Sequence, residues 1–274
     1  MVFGVIGGDR RYTALSRLLE EDGHRVWAWG QEGTADAPLP EQALSAETVV
    51  LPIPLCRADG TLNCGGPPLR TEEVFRRLSP WQRLLAGQVR PEQHREAARQ
   101  GLRLTDYLGY EPLTVANAAI TAECALQTAM DRLEGTLLGR SCLVLGFGRI
   151  GRLLAFRLHG LGARVSAAAR REEDRAWVRA YGWQALDTGH LAGTLSAFGA
   201  VFNTIPSPIL DRALLEELPR ECLLVDLATV PGIDFDTAEA LGRSAVWARG
   251  LPGRQAPSAA AAAIRDAIYH ILEE

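Results

Sequence analysis

Short apolar runs alternate with amphipathic stretches along most of the chain. Such alternation is typical of βαβ units, in which helices cover both faces of a parallel sheet. In the first half, the predicted strands are residues 2–6, 25–29, 48–53, 83–85 and 103–105. The predicted helices there are residues 12–22, 71–78 and 91–100. We therefore expect residues 1–120 to form a flavodoxin-like domain that binds the substrate and carries catalytic residues.

A second and cleaner alternation begins at Ser141. Before it, Val115–Ala118 is predicted to be extended, and Thr121–Glu123 is predicted to cap a helix that continues to about Leu137. The strands predicted after it are residues 141–145, 164–168, 200–203, 222–227 and 245–247, with helices at 149–161, 172–181 and 211–218. Residues 121–257 should thus form a Rossmann domain, and the two doubly wound α/β domains should flank a cleft.

The last stretch of the chain, Ser258–Glu274, is rich in alanine. It places Ile264 and Ile268 on one stripe of a predicted helix. We expect this helix to pack back on the first domain, which would make that domain discontinuous.

The cationic residues are unusual in kind rather than in number. All 29 basic residues of the 274-residue chain are arginines, and the net charge is −4. A chain without lysine forms neither a lysine Schiff base nor a Walker-A phosphate loop. Its acidic balance disfavours nucleic acid and anionic membrane surfaces. The five cysteines are scattered, and no apolar run approaches the ~20 residues of a membrane span. We therefore predict a cytoplasmic protein with reduced thiols.

The strongest motif is a glycine-rich sequence between a predicted strand and a predicted helix. It consists of Gly146, Phe147, Gly148, Arg149, Ile150 and Gly151. A G-x-G-x-x-G sequence in this context is the dinucleotide-binding fingerprint, whose glycines allow a tight turn, close approach of the pyrophosphate, and close packing of helix and strand. The alternative is a purely structural turn. We predict that these six residues bind a nicotinamide dinucleotide.

The end of the next predicted strand bears on the choice of cofactor. NAD sites usually place an acidic residue there, against the ribose 2′-hydroxyl. Here Arg170 and Arg171 follow the strand, and the first acid is Glu172. Guanidinium groups can bind a 2′-phosphate through charge-assisted, bidentate hydrogen bonds. We predict NADP rather than NAD, although Arg171 could also be ordinary surface charge.

Further polar residues follow the later strands of the second predicted sheet. One such group is Asn203, Thr204, Ile205, Pro206 and Ser207. This position lines the nicotinamide side of a Rossmann site, so we expect the nicotinamide beside Asn203–Thr204. Asp226 and Leu227 end the next strand, and Gly250–Gly253 follows the last one. Leu227 would contact the cofactor, whereas Asp226 is either catalytic or a buried cap of a neighbouring loop.

A second glycine-containing loop, Gly7–Arg11, follows the first predicted strand. It lacks the spacing of a dinucleotide site. We interpret it as a loop that presents arginine at the carboxyl end of a strand, the alternative being solvated arginines at the start of a helix.

Six short sequence motifs follow one another along the chain: Gly7-Gly8-Asp9-x-Arg11, Asn117-Ala-x-x-Thr121-Ala-Glu123, Gly146–Gly151, Asn203-Thr-Ile-Pro-Ser207, Asp226-Leu-Ala and Gly250-Leu-Pro-Gly-x-x-Ala256-Pro257. Together they resemble the family of dipicolinate synthase A subunits. Two positions depart from that pattern, because Cys124 stands where a glycine is expected and Ser258 where a lysine is expected.

The resemblance implies a sporulation enzyme in the mother-cell cytoplasm of a spore-forming bacterium. Such an enzyme would oxidise dihydrodipicolinate to pyridine-2,6-dicarboxylate (dipicolinate), here with the predicted NADP. It would work with a flavoprotein-like B subunit, and the sequence leaves homo-oligomer formation open.

The residue types suggest how a small dicarboxylate would be held. Oxidation of a dihydropyridine gains aromaticity, so the enzyme would mainly orient the reactants. Arginine forks bind carboxylates bidentately. We expect Arg11 to hold one substrate carboxylate, assisted by Thr121 or Ser207. Glu123 or Asp226 would accept the ring proton.

Two other functions stay open on the sequence. The chain could be an NADP(H)-binding scaffold or regulatory subunit whose chemistry resides on a partner, or an NADP-dependent dehydrogenase of another small carboxylic acid. Dehydrogenases of this build that use a catalytic lysine are disfavoured. No histidine follows the last predicted strand, as a 2-hydroxyacid dehydrogenase would need, and none of the five histidines is spaced for a metal.

Overall fold

The chain divides into two compact units, each with its own sheet. The computed structural model describes residues 1–31 and 38–274. One unit comprises Met1–Asn117 and Pro252–Glu274, and the other comprises Ala118–Leu251. The first unit is therefore discontinuous along the sequence.

Strands and helices alternate in both units. The strands are β1 (Val2–Ile6), β2 (Arg25–Trp29), β3 (Thr48–Val50), β4 (Arg83–Ala86), β5 (Leu104–Asp106), β6 (Ser141–Leu145), β7 (Arg164–Ala169), β8 (Gln184–Asp187), β9 (Ala200–Asn203), β10 (Leu223–Asp226) and β11 (Ala245–Trp247). The helices are α1 (Arg10–Glu21), α2 (Glu41–Leu44), α3 (Thr71–Arg76), α4 (Pro91–Arg99), α5 (Glu111–Met130), α6 (Arg149–Gly160), α7 (Glu172–Ala180), α8 (Arg212–Glu217), α9 (Phe235–Ala240), α10 (Leu251–Gln255) and α11 (Pro257–Glu273).

The first sheet is parallel, with strand order β2-β1-β3-β4-β5. This 2-1-3-4-5 order is that of flavodoxin-type doubly wound sheets, whose ligands bind where the order reverses, between the first and third strands. Val5 of β1 pairs with Val50 of β3. The loops that follow these two strands therefore meet at the reversal point.

The second sheet has the order β11-β10-β9-β6-β7-β8, again with all strands parallel. Renumbered within the domain, this is the 3-2-1-4-5-6 order of the Rossmann fold read from the other edge. Its reversal point lies between β6 and β9, where Leu145 pairs with Asn203. The predicted fold class, two doubly wound parallel-sheet domains, is confirmed.

Helix α11 closes the core of the first unit. Its Ile264 and Ile268 are fully or almost fully buried in one apolar cluster with Leu15 and Leu19 of α1. The Tyr269 hydroxyl donates to Asp22 Oδ2 at 2.7 Å, just beyond the end of α1. The stripe predicted from the sequence is thus the face that packs on the first unit.

The prediction for residues 115–137 is wrong. Val115–Ala118 is helical rather than extended, because α5 begins at Glu111. Thr121 consequently lies inside the helix and does not cap it, and the helix ends at Met130 rather than near Leu137. Pro112 occupies the first turn, where its missing N–H breaks no helical bond. The alanines that follow outweigh the weak extended preference of the β-branched residues.

The other differences concern short elements. The unpredicted elements are α2, β8, α9 and α10, since four to six residues are too few to establish a hydrophobic period. Conversely, β3 ends at Val50, before the predicted residue 53. Pro52 and Pro54 follow it and have no N–H to donate to a neighbouring strand.

Candidate functional site

The glycine loop after β6 has the geometry that its sequence requires. Gly146 has a φ of +94°, and a Cβ there would lie 2.3 Å from Thr204 Oγ1. A Cβ on Gly151 would lie 2.1 Å from the Gly146 carbonyl oxygen, so this glycine lets α6 pack against the loop. A Cβ on Gly148 would meet nothing within 4 Å. Only the middle glycine faces open space, as close approach by a ligand would need.

A cavity of about 430 Å³ lies beside this loop. Its lining residues are Gly146, Phe147, Gly148, Arg152, Ala169, Arg170, Arg171, Asp174, Thr188, Ile205, Ser207 and Ile209. The loop is followed directly by α6, whose first amides and positive dipole end favour an anion. The predicted loop, the end of β7 and part of the segment after β9 are therefore brought together. Of the other predicted cofactor residues, Arg149 and Ile150 belong to the first turn of α6.

Three guanidinium groups and one carboxylate set the charge of this cavity. Asp174 accepts hydrogen bonds from Arg171 Nε at 2.9 Å and from Arg152 Nη2 at 2.8 Å. The hydrogen bond from Arg171, with that from Arg152, holds the pKa of Asp174 below its ordinary value. Asp174 is therefore ionised and already neutralised. Arg170 is exposed, and its guanidinium has no hydrogen-bond partner among the described residues.

The backbone beneath Arg170 is fixed by a further arginine. Arg175 Nη1 donates to the carbonyl oxygens of Ala169 and Arg170, both at 2.9 Å. It also forms an ion pair with Asp187 at 3.0 Å. Arg170 thus projects from a held backbone, while its own side chain is available to a ligand.

The polar segment after β9 is held mainly by its own hydrogen bonds. Asn203 is fully buried, and its side chain bonds both the N–H and the carbonyl of Ile205 at 3.0 Å. Thr204 Oγ1 donates to the Leu145 carbonyl at 2.9 Å. Asn203 and Thr204 therefore shape the loop, whereas Ile205 and Ser207 line the cavity and Pro206 is exposed.

The carboxyl group of Asp226 holds the loop after β10 through hydrogen bonds, and its role as a proton acceptor stays a prediction. The residue is fully buried. Its Oδ1 accepts from Asn203 Nδ2 at 3.0 Å and from the Ala228 N–H at 2.9 Å. Its Oδ2 accepts from the N–H groups of Gly232 at 2.7 Å and Ile233 at 3.1 Å. Four donors surround the carboxylate, which leaves no oxygen directed at a ligand. Leu227 is also buried and donates its N–H to Asn203.

The remaining predicted residues of the second unit lie on α5. Thr121 is buried within the helix, whereas Glu123 is 68% exposed at its side chain. The Glu123 carboxylate forms an ion pair with Arg157 of α6 at 3.1 Å. Their assignment to substrate binding and proton transfer stays a prediction.

Arg11 lies at the reversal point of the first sheet. Its Nε and Nη2 bind the two Asp9 oxygens, each at 2.8 Å, and Nη2 also donates to the Ile53 carbonyl at 2.9 Å. Burial alone would lower the pKa of Arg11, but the Asp9 hydrogen bond and nearby Tyr12 raise it, so the group stays a cation. Its Nη1 has no hydrogen-bond partner among the described residues.

Sequence reasoning missed the packing around Arg11 and the roles of Arg152 and Asp174. A Cβ on Gly253 would lie 2.6 Å from Asp9 Oδ2, so α10 packs against this ion pair only because residue 253 is glycine. The i,i+3 spacing of Arg171, just before α7, and Asp174, in its first turn, could have revealed that pair, whereas nothing local links Gly253 to Asp9.

Other kinds of site are not found in the described part of the chain. No group of three or more His, Cys, Asp or Glu side chains there could hold a metal. All five cysteines are buried and free. None of the helices in residues 1–31 and 38–274 has the length and apolarity to traverse a bilayer.

The fold and the glycine loop define the class of this molecule as two-domain α/β proteins with a Rossmann domain of the dehydrogenase type. A D-lactate dehydrogenase from Escherichia coli has the same fold, with a TM-score of 0.61, 16% identity, and coverage of 98% of this chain and 96% of that one. At this identity the likeness concerns the fold alone.

The predicted resemblance to dipicolinate synthase A subunits is confirmed. Residues 2–108 match the family model for the N-terminal domain of the dipicolinate synthase A subunit. The Bacillus subtilis A subunit of dipicolinate synthase is 27% identical, with 98% of this chain and 95% of the relative aligned. The crystal structure of the Bacillus halodurans A subunit has a TM-score of 0.85 at 24% identity and covers 100% of this chain and 98% of that one. Residues 2–108 thus resemble the N-terminal domain of that family, and the similarity to the A subunits extends through the second domain.

Proposed function

We propose that this chain is an NADP-dependent oxidoreductase that converts dihydrodipicolinate to dipicolinate. The observation that carries the proposal is the glycine loop at the reversal point of a Rossmann sheet, next to β7, which is followed by two arginines before the first acid. The proposal includes a partner, the flavoprotein-like B subunit, because its relatives are named as A subunits. We place the activity in the mother-cell cytoplasm during sporulation, as the resemblance implies.

The charge of the nucleotide cavity supports NADP. Arg152, Arg170 and Arg171 face a single carboxylate, Asp174, which two of them already neutralise. A 2′-phosphate would meet net positive charge and the guanidinium of Arg170, which no described residue hydrogen-bonds. A ribose 2′-hydroxyl would instead need a free carboxylate acceptor at this point.

The reaction requires little acid–base help from the chain. The dihydropyridine ring loses a hydride and a proton and becomes aromatic, and NADP⁺, when bound, supplies the hydride acceptor. Arg11 would hold one carboxylate of the substrate through its Nη1, while Asp9 and Ile53 fix the guanidinium plane. Because Asp226 is saturated, we assign it no proton; Glu123 stays the proposed acceptor.

The decisive experiment is an assay of the purified chain alone. Dihydrodipicolinate generated enzymatically would be mixed with NADP⁺ or NAD⁺. Reduction of the nicotinamide would be followed at 340 nm, where the reduced cofactor absorbs. Turnover with NADP⁺ supports the proposal. Activity on another small acid, with none on dihydrodipicolinate, would replace the substrate but keep the reaction class.

One observation favours a second candidate, an NADP(H)-binding scaffold whose chemistry resides on its partner. The two carboxylates predicted to accept the ring proton are both engaged, Asp226 by four donors and Glu123 by Arg157. The same assay separates the candidates, because a scaffold would bind NADPH without turnover until the B subunit is added.

The glycine loop gives a matched pair of variants. Gly148→Ala should fold normally, since its Cβ meets nothing within 4 Å, yet it should weaken NADPH binding roughly 10-fold or more by keeping the pyrophosphate from the backbone. Gly151→Ala should instead destabilise the domain, because its Cβ would lie 2.1 Å from a carbonyl oxygen. Thermal unfolding and NADPH fluorescence titration measure both effects. Normal NADPH affinity in a folded Gly148→Ala variant would argue against a dinucleotide site here.

Arg11→Ala tests the substrate anchor. A hydrogen-bonded charge pair with a carboxylate is worth about 1.5–3 kcal/mol, so the KM for dihydrodipicolinate should rise roughly 10- to 100-fold while NADPH affinity stays unchanged. Arg10→Ala is the control, because Arg10 is exposed and its side chain donates only to the Arg254 carbonyl, at 3.5 Å, within the part of the chain that the structure describes. Unchanged substrate affinity in Arg11→Ala would refute the assignment.

A further inference from the structure

Gln88 has an unusual backbone conformation. Its φ is +57°, and it is the one non-glycine residue with positive φ among the described residues 1–31 and 38–274. A side chain in this left-handed region is disfavoured, whereas glycine adopts it without penalty. A glycine would therefore suit the backbone of this turn better than the glutamine that occupies it.

The turn that carries Gln88 is held firmly in place. Asp106, at the end of β5, accepts from the N–H groups of Gln88 at 3.2 Å and Val89 at 2.8 Å. It also accepts from Leu108 at 2.9 Å. On the other side, a Cβ on Gly87 would lie 2.0 Å from Ile53 Cγ1, so β4 leads into the turn through a tightly packed glycine. The conformation of Gln88 is thus imposed by its surroundings.

Gln88 is nevertheless free at its side chain. The residue is exposed, and its amide has no hydrogen-bond partner among the described residues. The structure around it holds the backbone in a costly conformation while leaving the polar group available. Residues held in such regions cluster at ligand-binding sites.

The position of Gln88, just after β4, indicates which kind of ligand it can bind. β1, β3 and β4 are adjacent, so the segments that follow them, which carry Arg11, Ile53 and Gln88, lie one after another along the carboxyl edge. Ile53 contacts both neighbours, since it accepts from Arg11 Nη2 at 2.9 Å and packs against Gly87. The backbones of β1 and β4, on either side of β3, are two strand spacings apart, roughly 10 Å. Long Arg and Gln side chains can converge across that distance on a small molecule.

We propose that Gln88 binds the second carboxylate of a small dicarboxylate whose first carboxylate is held by Arg11. The Gln88 amide N–H donates to a carboxylate oxygen, and the clamped turn fixes its direction. This assignment deepens the proposed function and rests on it for the Arg11 anchor and for the identity of the dicarboxylate. It makes Gln88 a determinant of specificity for dicarboxylates over monocarboxylates.

The test measures binding rather than turnover. Dipicolinate and its monocarboxylate analogue, pyridine-2-carboxylate, would be titrated into the full chain by calorimetry, using wild type, Gln88→Gly and Gln100→Ala. Gln100 is the matched control, because it lies at the opposite end of α4, and among the residues that the structure describes its side chain bonds only to Glu96 of that helix. Thermal unfolding and NADPH titration accompany each variant.

We expect Gln88→Gly to weaken dipicolinate binding roughly 10- to 100-fold and to leave pyridine-2-carboxylate and NADPH binding unchanged. Relief of the backbone strain should raise its unfolding midpoint by about 2–4 °C, so the loss of affinity cannot come from misfolding. Gln100→Ala should bind both acids as wild type does.

Each other outcome is decisive. Equal binding of dipicolinate by wild type and Gln88→Gly would overturn the assignment, as would an equal loss for both acids. If wild type binds dipicolinate and Gln88→Gly does not, but no chain turns over dihydrodipicolinate, the oxidation is refuted and the Gln88 site stands. A wild-type chain that binds no dipicolinate would overturn both proposals.

Discussion

Asp226→Ala should be among the most destabilising single substitutions in the second unit. It removes the acceptor of four hydrogen bonds and leaves the N–H groups of Ala228, Gly232 and Ile233 without their partner. Each buried donor left unpaired costs about 1–3 kcal/mol, and removing the buried polar carboxyl group offsets part of the sum. We expect the free energy of unfolding to fall by about 3–5 kcal/mol, which corresponds to roughly 10 °C in the unfolding midpoint.

Thermal and urea unfolding would measure this loss, with two comparison variants. Asp226→Asn keeps the shape and one acceptor oxygen but turns an amide donor toward backbone donors. Its free energy of unfolding should therefore fall by an intermediate amount. Asp211→Ala removes an exposed carboxylate that caps α8 through the Leu214 N–H at 3.1 Å, and should cost only about 1 kcal/mol.

The same variants decide whether Asp226 has a chemical role. If Asp226→Ala had the stability of wild type but lost turnover, Asp226 would be the proton acceptor. Its four hydrogen bonds would then not exclude a catalytic role. If stability falls and the residual folded fraction retains turnover per molecule, the residue acts only on the loop after β10.

This residue shows why a site cannot be completed from sequence. The run of apolar residues before Asp226 predicts a buried strand that ends in an acid. Whether that acid is catalytic depends on the direction of three backbone N–H groups two to seven residues away, and backbone direction leaves no trace in residue type. The sequence accordingly left two interpretations open.

Motifs whose chemistry depends on neighbours in sequence were predictable. The Gly146–Gly151 spacing requires a positive φ at its first glycine and close packing at its third, and the structure has both. The arginines after β7 line the cavity beside the glycine loop because the strand end and the loop after β6 lie side by side in any Rossmann sheet.

Features that depend on packing between distant segments were not predictable. The β-branched residues near Val115 favour an extended chain in isolation, yet α5 runs through them. Gly253 meets Asp9 across more than two hundred positions of sequence, and the conformation of Gln88 is imposed by Asp106 on the next strand. In each case tertiary contacts outweigh a weak local preference.

The largest change in cofactor selectivity should come from Arg170→Ala. Arg170 is the guanidinium of the nucleotide cavity without a hydrogen-bond partner among the described residues, so a 2′-phosphate would gain its full charge-assisted interaction. We expect the KM for NADP⁺ to rise roughly 10- to 100-fold and the KM for NAD⁺ to stay unchanged. Arg171→Ala should have a smaller effect, because its Nε already donates to Asp174 at 2.9 Å.

Steady-state kinetics with both nucleotides would measure these ratios, and Arg179→Ala provides the control. Arg179 is an exposed arginine on the same helix as Asp174, but it pairs with Glu172 and does not line the cavity.

Asp174→Ala is a second test, in which NADP and NAD sites should respond in opposite ways. In an NADP site, removing this neutralised carboxylate frees Arg171 and Arg152, so NADP⁺ should bind as well as before or better. In an NAD site, the same change removes the acceptor for the ribose hydroxyl. The cofactor assignment would therefore be reversed if Asp174→Ala lost affinity for NAD⁺ while Arg170→Ala changed neither KM.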